Sequence, residues 1–231
     1  MTLKLLQTAI LGAATLCVAW NGNVAKADTI TASLYSALPP SGTTPTVIDL
    51  SGISSPSQST VAGTGYSIAF SGVGANEGVV QGSLGGAYAV PVGGVIGSSP
   101  EYLTGGFGSA LTTNIGNSGN YLSTGVGTIT ITFSTPQDSL ALLWGSIDAG
   151  NSLKLNDAGG FVITGAAVQA AAAGFVTNGF QGQGGSAYVV VNTSTPFTTV
   201  TATSNVVSFE FAVSRQLLLP SSSRLRPSQQ V

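Results

Sequence analysis

The chain has 231 residues, of which 43% are hydrophobic and only 6% charged, with 32 glycines, one cysteine and no histidine. Between Asp28 and Ser214 a single base, Lys154, stands against eight acids, so this body has no cations to replace the counterions of a nucleic acid and is repelled by anionic lipid. Without histidine, nucleophile–histidine catalysis is excluded, and without both histidine and a cysteine beyond Cys17, zinc catalysis and disulfides go with it.

Met1 to Ala27 has the layout of a secretory signal peptide. Lys4 supplies the charged start, Ala9 to Trp20 the apolar run, and Ala25-Lys26-Ala27 the small-x-small cleavage pattern. The apolar run is shorter than the roughly 20 residues of a membrane span. Leu16 before Cys17 argues against a lipid anchor. The mature chain is expected to begin near Asp28 and to form one domain over residues 28–213, enough for a single all-β core.

A first strand is expected within Asp28 to Leu38, with Ile30, Ala32 and Leu34 on one face, ended by Pro39-Pro40-Ser41-Gly42. Val47 to Leu50 and Tyr66 to Phe70 are further short strands, the second with Tyr66, Ile68 and Phe70 inward. Between Gly72 and Gly127 periodicity is poor. Val79-Val80-Gln81 and Ala87 to Val92 are the strand candidates there, and the remainder reads as a long Gly/Ser-rich loop, for which a plain surface excursion is favoured over a binding surface.

Thr128 to Thr164 is the densest apolar stretch. Thr128 to Phe133 alternates polar and apolar, Thr135-Pro136-Gln137-Asp138 has turn chemistry, and Leu140 to Trp144 is apolar on both faces, as in a strand covered on both sides. Leu153 and Leu155 alternate with Lys154 and Asn156, and Asn156 to Gly160 turns the chain into Phe161 to Thr164. The whole reads as a β-meander at the centre of the core. Gly165 to Gly174 is the helix-competent segment. Tyr188 to Val191, Phe197 to Ala202 and Val206 to Phe211 complete the strands, the last with Val207, Phe209 and Phe211 inward and Ser208 and Glu210 outward. Nine or ten short strands with almost no helix predict an all-β, two-layer antiparallel β-sandwich, jelly-roll-like, with a barrel as runner-up. Residues 214–231 hold three arginines, lose strand periodicity and read as a disordered basic tail.

Leu142-Leu143-Trp144-Gly145-Ser146-Ile147-Asp148, Asn151-Ser152-Leu153, Gly165, Tyr188 to Val191, Phe197 and Phe209-Glu210-Phe211 together resemble a family of exosortase-dependent (PEP-CTERM) bacterial surface proteins. The resemblance covers Tyr121 to Phe211, and upstream only Tyr88-Ala89-Val90-Pro91. It implies a signal peptide, a β-sandwich body, a C-terminal sorting segment, and a place on the cell surface or in extracellular polysaccharide; it implies no enzyme activity. Two features depart from the family. Gly150, rather than an aromatic residue, precedes Asn151, and the stretch after Phe211 has neither the Pro-Glu-Pro signal nor a membrane-length apolar run. A shift of reading frame after about Ser214 would account for the second, and the chain as written is expected to be exported and released, with no stable membrane insertion.

Several constellations could carry chemistry. A carboxylate pair of the glycosidase kind could be drawn from Asp148, Glu210, Glu77 and Glu101; sequence spacing does not say whether any two lie across a cleft, and no catalytic residue is assigned. Asp148, Asn151, Asn156 and Asp157 are expected around one turn pair, where they could offer calcium its oxygens; turn formation and strand capping are the favoured role, and no cofactor is expected apart from weakly held calcium. Trp144, among Leu142, Leu143 and Ile147, is placed in the core rather than on a sugar-stacking surface, for which Tyr66, Tyr88, Tyr102, Tyr121 and Tyr188 are better suited. The function expected is a non-catalytic secreted or cell-surface protein of the polysaccharide or biofilm matrix, with a glycan as partner. A carbohydrate-active hydrolase and a self-assembling surface subunit, whose edge strands lack protecting lysines, are the alternatives.

Overall fold

The computed structural model describes residues 28–34, 45–50, 52–96, 99–102, 119–172, 179–181, 183–205 and 208–216. The leader and most of the tail therefore lie outside the described residues. Among the described residues there are thirteen strands: β1 (Thr29–Leu34), β2 (Pro45–Val47), β3 (Val61–Gly63), β4 (Tyr66–Ser71), β5 (Gly78–Gln81), β6 (Val92–Ile96), β7 (Ser99–Tyr102), β8 (Asn120–Ser123), β9 (Thr128–Gly145), β10 (Asn151–Leu155), β11 (Val162–Thr164), β12 (Ala187–Ser204) and β13 (Glu210–Gln216). One short helix, α1 (Gly165–Ala171), follows β11, and the Thr164 hydroxyl caps it by accepting the Ala167 N–H.

The architecture hangs on β9 and β12, each 18 residues long and each bent midway. Their first and second halves pair with one another crosswise and antiparallel, Thr128–Thr132 against Thr199–Thr203 and Ser139–Trp144 against Ala187–Asn192. One layer runs β3-β4-β9-β12-β10-β11 through the first half of β9 and the second half of β12. The other layer uses the remaining halves, in the order β1-β12-β9-β13, with β8 and then β5 beyond β13 at one end and β2 beside it at the other. Strands β6 and β7 form a separate hairpin.

The bends are written in the chain by the same tripeptide, Ser134-Thr135-Pro136 in β9 and Ser194-Thr195-Pro196 in β12. Register shifts between these strands fall at Asn192/Phe197 and Phe197/Thr199. A proline cannot donate to a ladder and is tolerated where a bulge interrupts it, and a bulge bends the strand. The Gln137 side chain fastens the β9 bend by donating to the Thr135 carbonyl at 2.6 Å. Turn chemistry at Thr135–Asp138 thus produces a corner within one strand rather than a reversal between two. The inward set changes parity across it, from Ile129, Ile131 and Phe133 to Leu140, Leu142 and Trp144, and both sets lie in one buried cluster with Val189, Val191, Phe197 and Val200 of β12. That shared cluster is what makes the two halves opposing layers of one core.

The all-β antiparallel class agrees with the sequence, but the central meander does not. Strand β12, some forty residues downstream, inserts between β9 and β10. The segment 87–91 is not a strand; it forms part of a turn closed by the Leu84/Tyr88 bridge, and β6 begins only at Val92. The expected strand at Val79-Val80-Gln81 is β5, while the remainder of Gly72 to Gly127, read as loop, contributes β7 and β8, and β13 runs on to Gln216, past the expected domain end, by pairing with β2.

The most consequential correction concerns Ser208 and Glu210. Both were expected to face solvent, and both are buried, Glu210 with only 2% of its surface exposed. The outer face of the second layer is not open. Segment 82–91 straps across it, so Ala141 and Leu143 of β9 join Val80, Tyr121, Tyr188, Val190 and Ala212 in a second apolar cluster, with Tyr88 and Val90 packed upon it. At the corner of the strap Pro91 approaches Gly145 so closely that a Cβ there would lie 2.8 Å from the proline Cβ. Leu142 and Leu143 therefore face two different cores. Each truncation to alanine should cost about 2–5 kcal/mol in chemical denaturation; a near-neutral Leu143→Ala, beside a costly Leu142→Ala, would mean that the strap does not cover the outer face.

Candidate functional site

The ends of β9 and β13 that lie under the strap open into a cavity of about 290 Å³ lined by Gly86, Ala87, Ser146, Asp148, Gly179, Gln181, Ser208 and Glu210. Four stretches of chain meet there. Strand β13 is anchored below by the stack of Phe209 on Trp144, with ring centroids 4.3 Å apart, and this stack fixes the direction of the next side chain, Glu210, on the other face. Ser146 follows β9 with φ of 34°, a left-handed conformation uncommon and costly for a non-glycine residue. Its hydroxyl donates to Glu210.

The two oxygens of Glu210 are both engaged. Oε1 accepts the Ala89 N–H at 3.1 Å, which ties the strap to the sheet, and Oε2 accepts the Ser146 hydroxyl. Ser208, on the same wall, shares a 2.7 Å hydrogen bond with the Ser123 hydroxyl of β8. Burial raises the Glu210 carboxyl above its ordinary 4.5, and the bonds from Ser146 and Ala89 only partly offset it. Nearby, burial above all, with Glu210 and Tyr88 beside it, raises the Tyr121 phenol, which stays protonated and donates to the Gly82 carbonyl.

Asp148 differs. It sits half-buried in the turn between β9 and β10, its backbone carbonyl accepts the Asn151 N–H at 3.0 Å, and its carboxylate receives no hydrogen bond from the described residues. Burial alone raises it above its ordinary 3.8. Gly179, with φ of +69°, comes so close that a Cβ there would stand 2.7 Å from Asp148 Oδ1. Only glycine allows this segment to close the wall.

The four oxygen-bearing residues expected around one turn pair are divided by β10. Asp148 and Asn151 stand at its start and Asn156 and Asp157 at its end, roughly 16 Å along an extended strand of five residues. Asn151 is buried and its Oδ1 accepts the Ser204 hydroxyl at 2.9 Å. Asn156 Oδ1 accepts the Thr198 and Thr199 N–H groups, at 2.9 and 2.6 Å, and Asp157 Oδ1 accepts the Phe161 N–H at 2.8 Å. These are the contacts of turn and bend closure. Glu77 closes its own turn by accepting the Gly74 N–H at 2.8 Å, and the Glu101 side chain lies outside the described residues. Of the four candidate carboxylates, the fold brings Asp148 and Glu210 to one cavity. The cavity's other members, Ser146, Ser208 and Gln181, carried no signal of their own; only the outward parity assigned to Ser208 and Glu210 hinted that they share a face. Tyr121 and Tyr188 are buried, and Tyr88 packs edge-on against Tyr121 at 6.2 Å, so these rings belong to the second core.

A raised acid has a definite consequence for stability. The folded chain holds the Glu210 and Asp148 protons to higher pH than the unfolded chain does, so stability falls as pH climbs from the ordinary carboxylate range through the raised values. Glu210→Gln should flatten that decline in a series of melting curves while keeping an acceptor for Ala89. Glu210→Ala should instead cost about 1–3 kcal/mol for each of the two orphaned donors. A wild-type melting temperature that rises over the same range would contradict the assignment. Comparison of the chain with known family models, with curated proteins and with solved structures returned no match.

Proposed function

We propose that this is a non-catalytic, exported protein of the bacterial surface or extracellular matrix that binds a glycan in the cavity under the strap. The cavity carries the reading: Asp148, Glu210, Gln181, Ser146 and Ser208 converge on it, a hydrogen-bonding lining suited to a hydroxyl-rich ligand. Export rests on the leader-like residues 1–27, and the surface or matrix setting on the resemblance to exosortase-dependent proteins. A body that keeps one base in residues 28–214 also suits an environment of neutral polymer better than one of phosphate.

A second reading, hydrolysis by a carboxylate pair, draws on the meeting of Asp148 and Glu210 in one cavity. Glycosidase chemistry wants two carboxyls whose environments push their proton affinities apart, so that one is acid while the other is base. Here burial pushes both the same way, and Glu210 is held by two hydrogen bonds at once. Binding is therefore the better account.

One experiment addresses both. Immobilised polysaccharides and a glycan array should retain the exported chain, Asp148→Asn should weaken retention roughly tenfold through loss of a charge-assisted bond, and no reducing ends should appear on long incubation. Absence of retention on every glycan would remove the binding role, and release of reducing ends that Asp148→Asn abolishes would establish the hydrolase.

A further inference from the structure

We propose that the cavity takes one amino-sugar unit of the glycan, with the protonated amine of the sugar set against the Asp148 carboxylate. The inference rests on the glycan-binding reading and narrows it to a chemical class.

Volume sets the first limit. About 290 Å³ is room for roughly ten waters, at the small end of ligand pockets. That suits one sugar ring and is far more than a bare ion fills. Glycine and alanine at positions 86, 87 and 179 leave the walls without projecting side chains, so a ring can approach the backbone.

Charge sets the second. Two carboxylates line the space and, among the described residues, no base does; Lys154, the one base of residues 28–214, is exposed on β10 and is not part of the lining. A uronate or a sulfated sugar would bring a third negative charge into a partly dry site, where like charges repel strongly. A cation is favoured for the same reason.

The unequal state of the two carboxylates sets the third. Glu210 already accepts one donor on each oxygen, so it is part of the wall. Asp148 accepts none from the described residues, although the fold has withdrawn it from much of the solvent. A carboxylate in that condition is the natural acceptor for an ammonium group, through a short charge-assisted hydrogen bond. Gln181, exposed at the rim, remains for the sugar hydroxyls. Calcium is the weaker occupant, since it wants six to eight oxygens and no group of three acidic ligands occurs among the described residues.

The pairing also carries a proton signature. Burial holds the Asp148 carboxyl above its ordinary 3.8, and an ammonium group beside it favours the ionised form. Affinity should thus rise as pH climbs through the Asp148 titration, then fall where the amine loses its proton.

Calorimetric titration of the intact exported chain with three oligosaccharides of matched length tests the proposal: one of free glucosamine units, its fully N-acetylated counterpart, and one of uronate units. The free-amine form should bind roughly tenfold or more tighter than the N-acetylated form, and the uronate form should not bind. Asp148→Asn, whose carboxylate accepts no hydrogen bond from the described residues, should erase the preference without lowering the melting temperature at neutral pH. Equal binding of the amine and acetylated forms would overturn the amino-sugar assignment and leave glycan binding intact. Failure of all three to bind would overturn both, and a preference that survives Asp148→Asn would overturn the placement of the amine.

Discussion

The pairing of β9 with β12 is the constraint on which everything else depends. Both strands are long enough to cross the molecule, and both bend at a Ser-Thr-Pro corner, so a single pair of neighbours supplies the centre of two layers. Had only one of them bent, the ladder would have broken at the corner and one layer would have lost its middle. Since the partners are distant in sequence, their association closes a long loop, and the contacts that repay its entropy come only when β4, β10, β13 and β1 add to either side. The edge elements are short and cannot stand alone; they are held because the central pair already presents a ladder and an apolar face.

From that arrangement a second demand follows. The second half of β9 is apolar on both faces, and one of them would be wet if the sheet had a single partner layer. Segment 82–91 covers it, and a covering segment brings backbone N–H groups that must find acceptors away from water. The Ser83 hydroxyl accepts the Val90 N–H at 3.0 Å, and Glu210 accepts the neighbouring Ala89 N–H. A glutamate in this position is costly to bury, and the cost is moderated because Ser146, forced into a left-handed turn, donates to its other oxygen. Strap, carboxylate and strained serine are thus one unit, and the cavity is the space left where they meet the turn carrying Asp148.

The sequence shows the composition of this core more clearly than its topology. Alternation identified Ile129, Ile131, Phe209 and Phe211 as inward, and the doubly apolar run Leu140 to Trp144 as covered on both sides, because these properties are local to a strand. Proline with aspartate nearby suggests a turn by local chemistry alone; whether it becomes a reversal or a corner depends on what pairs beyond it, here β12, which no short window contains. Ser208 and Glu210 are polar and alternate with aromatics, so they read as solvent-facing. Their burial depends on a strap more than a hundred residues away, with hydrogen bonds that no period reveals. Asp148 was legible as a residue of interest from its turn, but its company was not: the neighbours in sequence are carried to the other end of β10, and the true companions come from β13 and segments 86–87 and 179–181.

Stability alone does not explain why two of the chain's eight acids share one cavity. A glutamine at position 210 could still accept the Ala89 N–H without a charge to desolvate, and an asparagine at position 148 would remove a half-buried carboxylate that nothing in the described structure compensates. Both acids lower stability at neutral pH relative to those neutral isosteres, and Ser146 adds backbone strain at the same place. Local choices that oppose the fold elsewhere are scattered, as at the buried Asn151 Nδ2, which has no hydrogen-bond partner among the described residues; here three of them border one concave space, whereas Asp157 and Asn156 are satisfied by the bends they close. Concentrated cost of this kind marks the position where negative charge is kept for an external partner, and it is why ligand chemistry is read from this cavity rather than from the better-satisfied polar groups around β10.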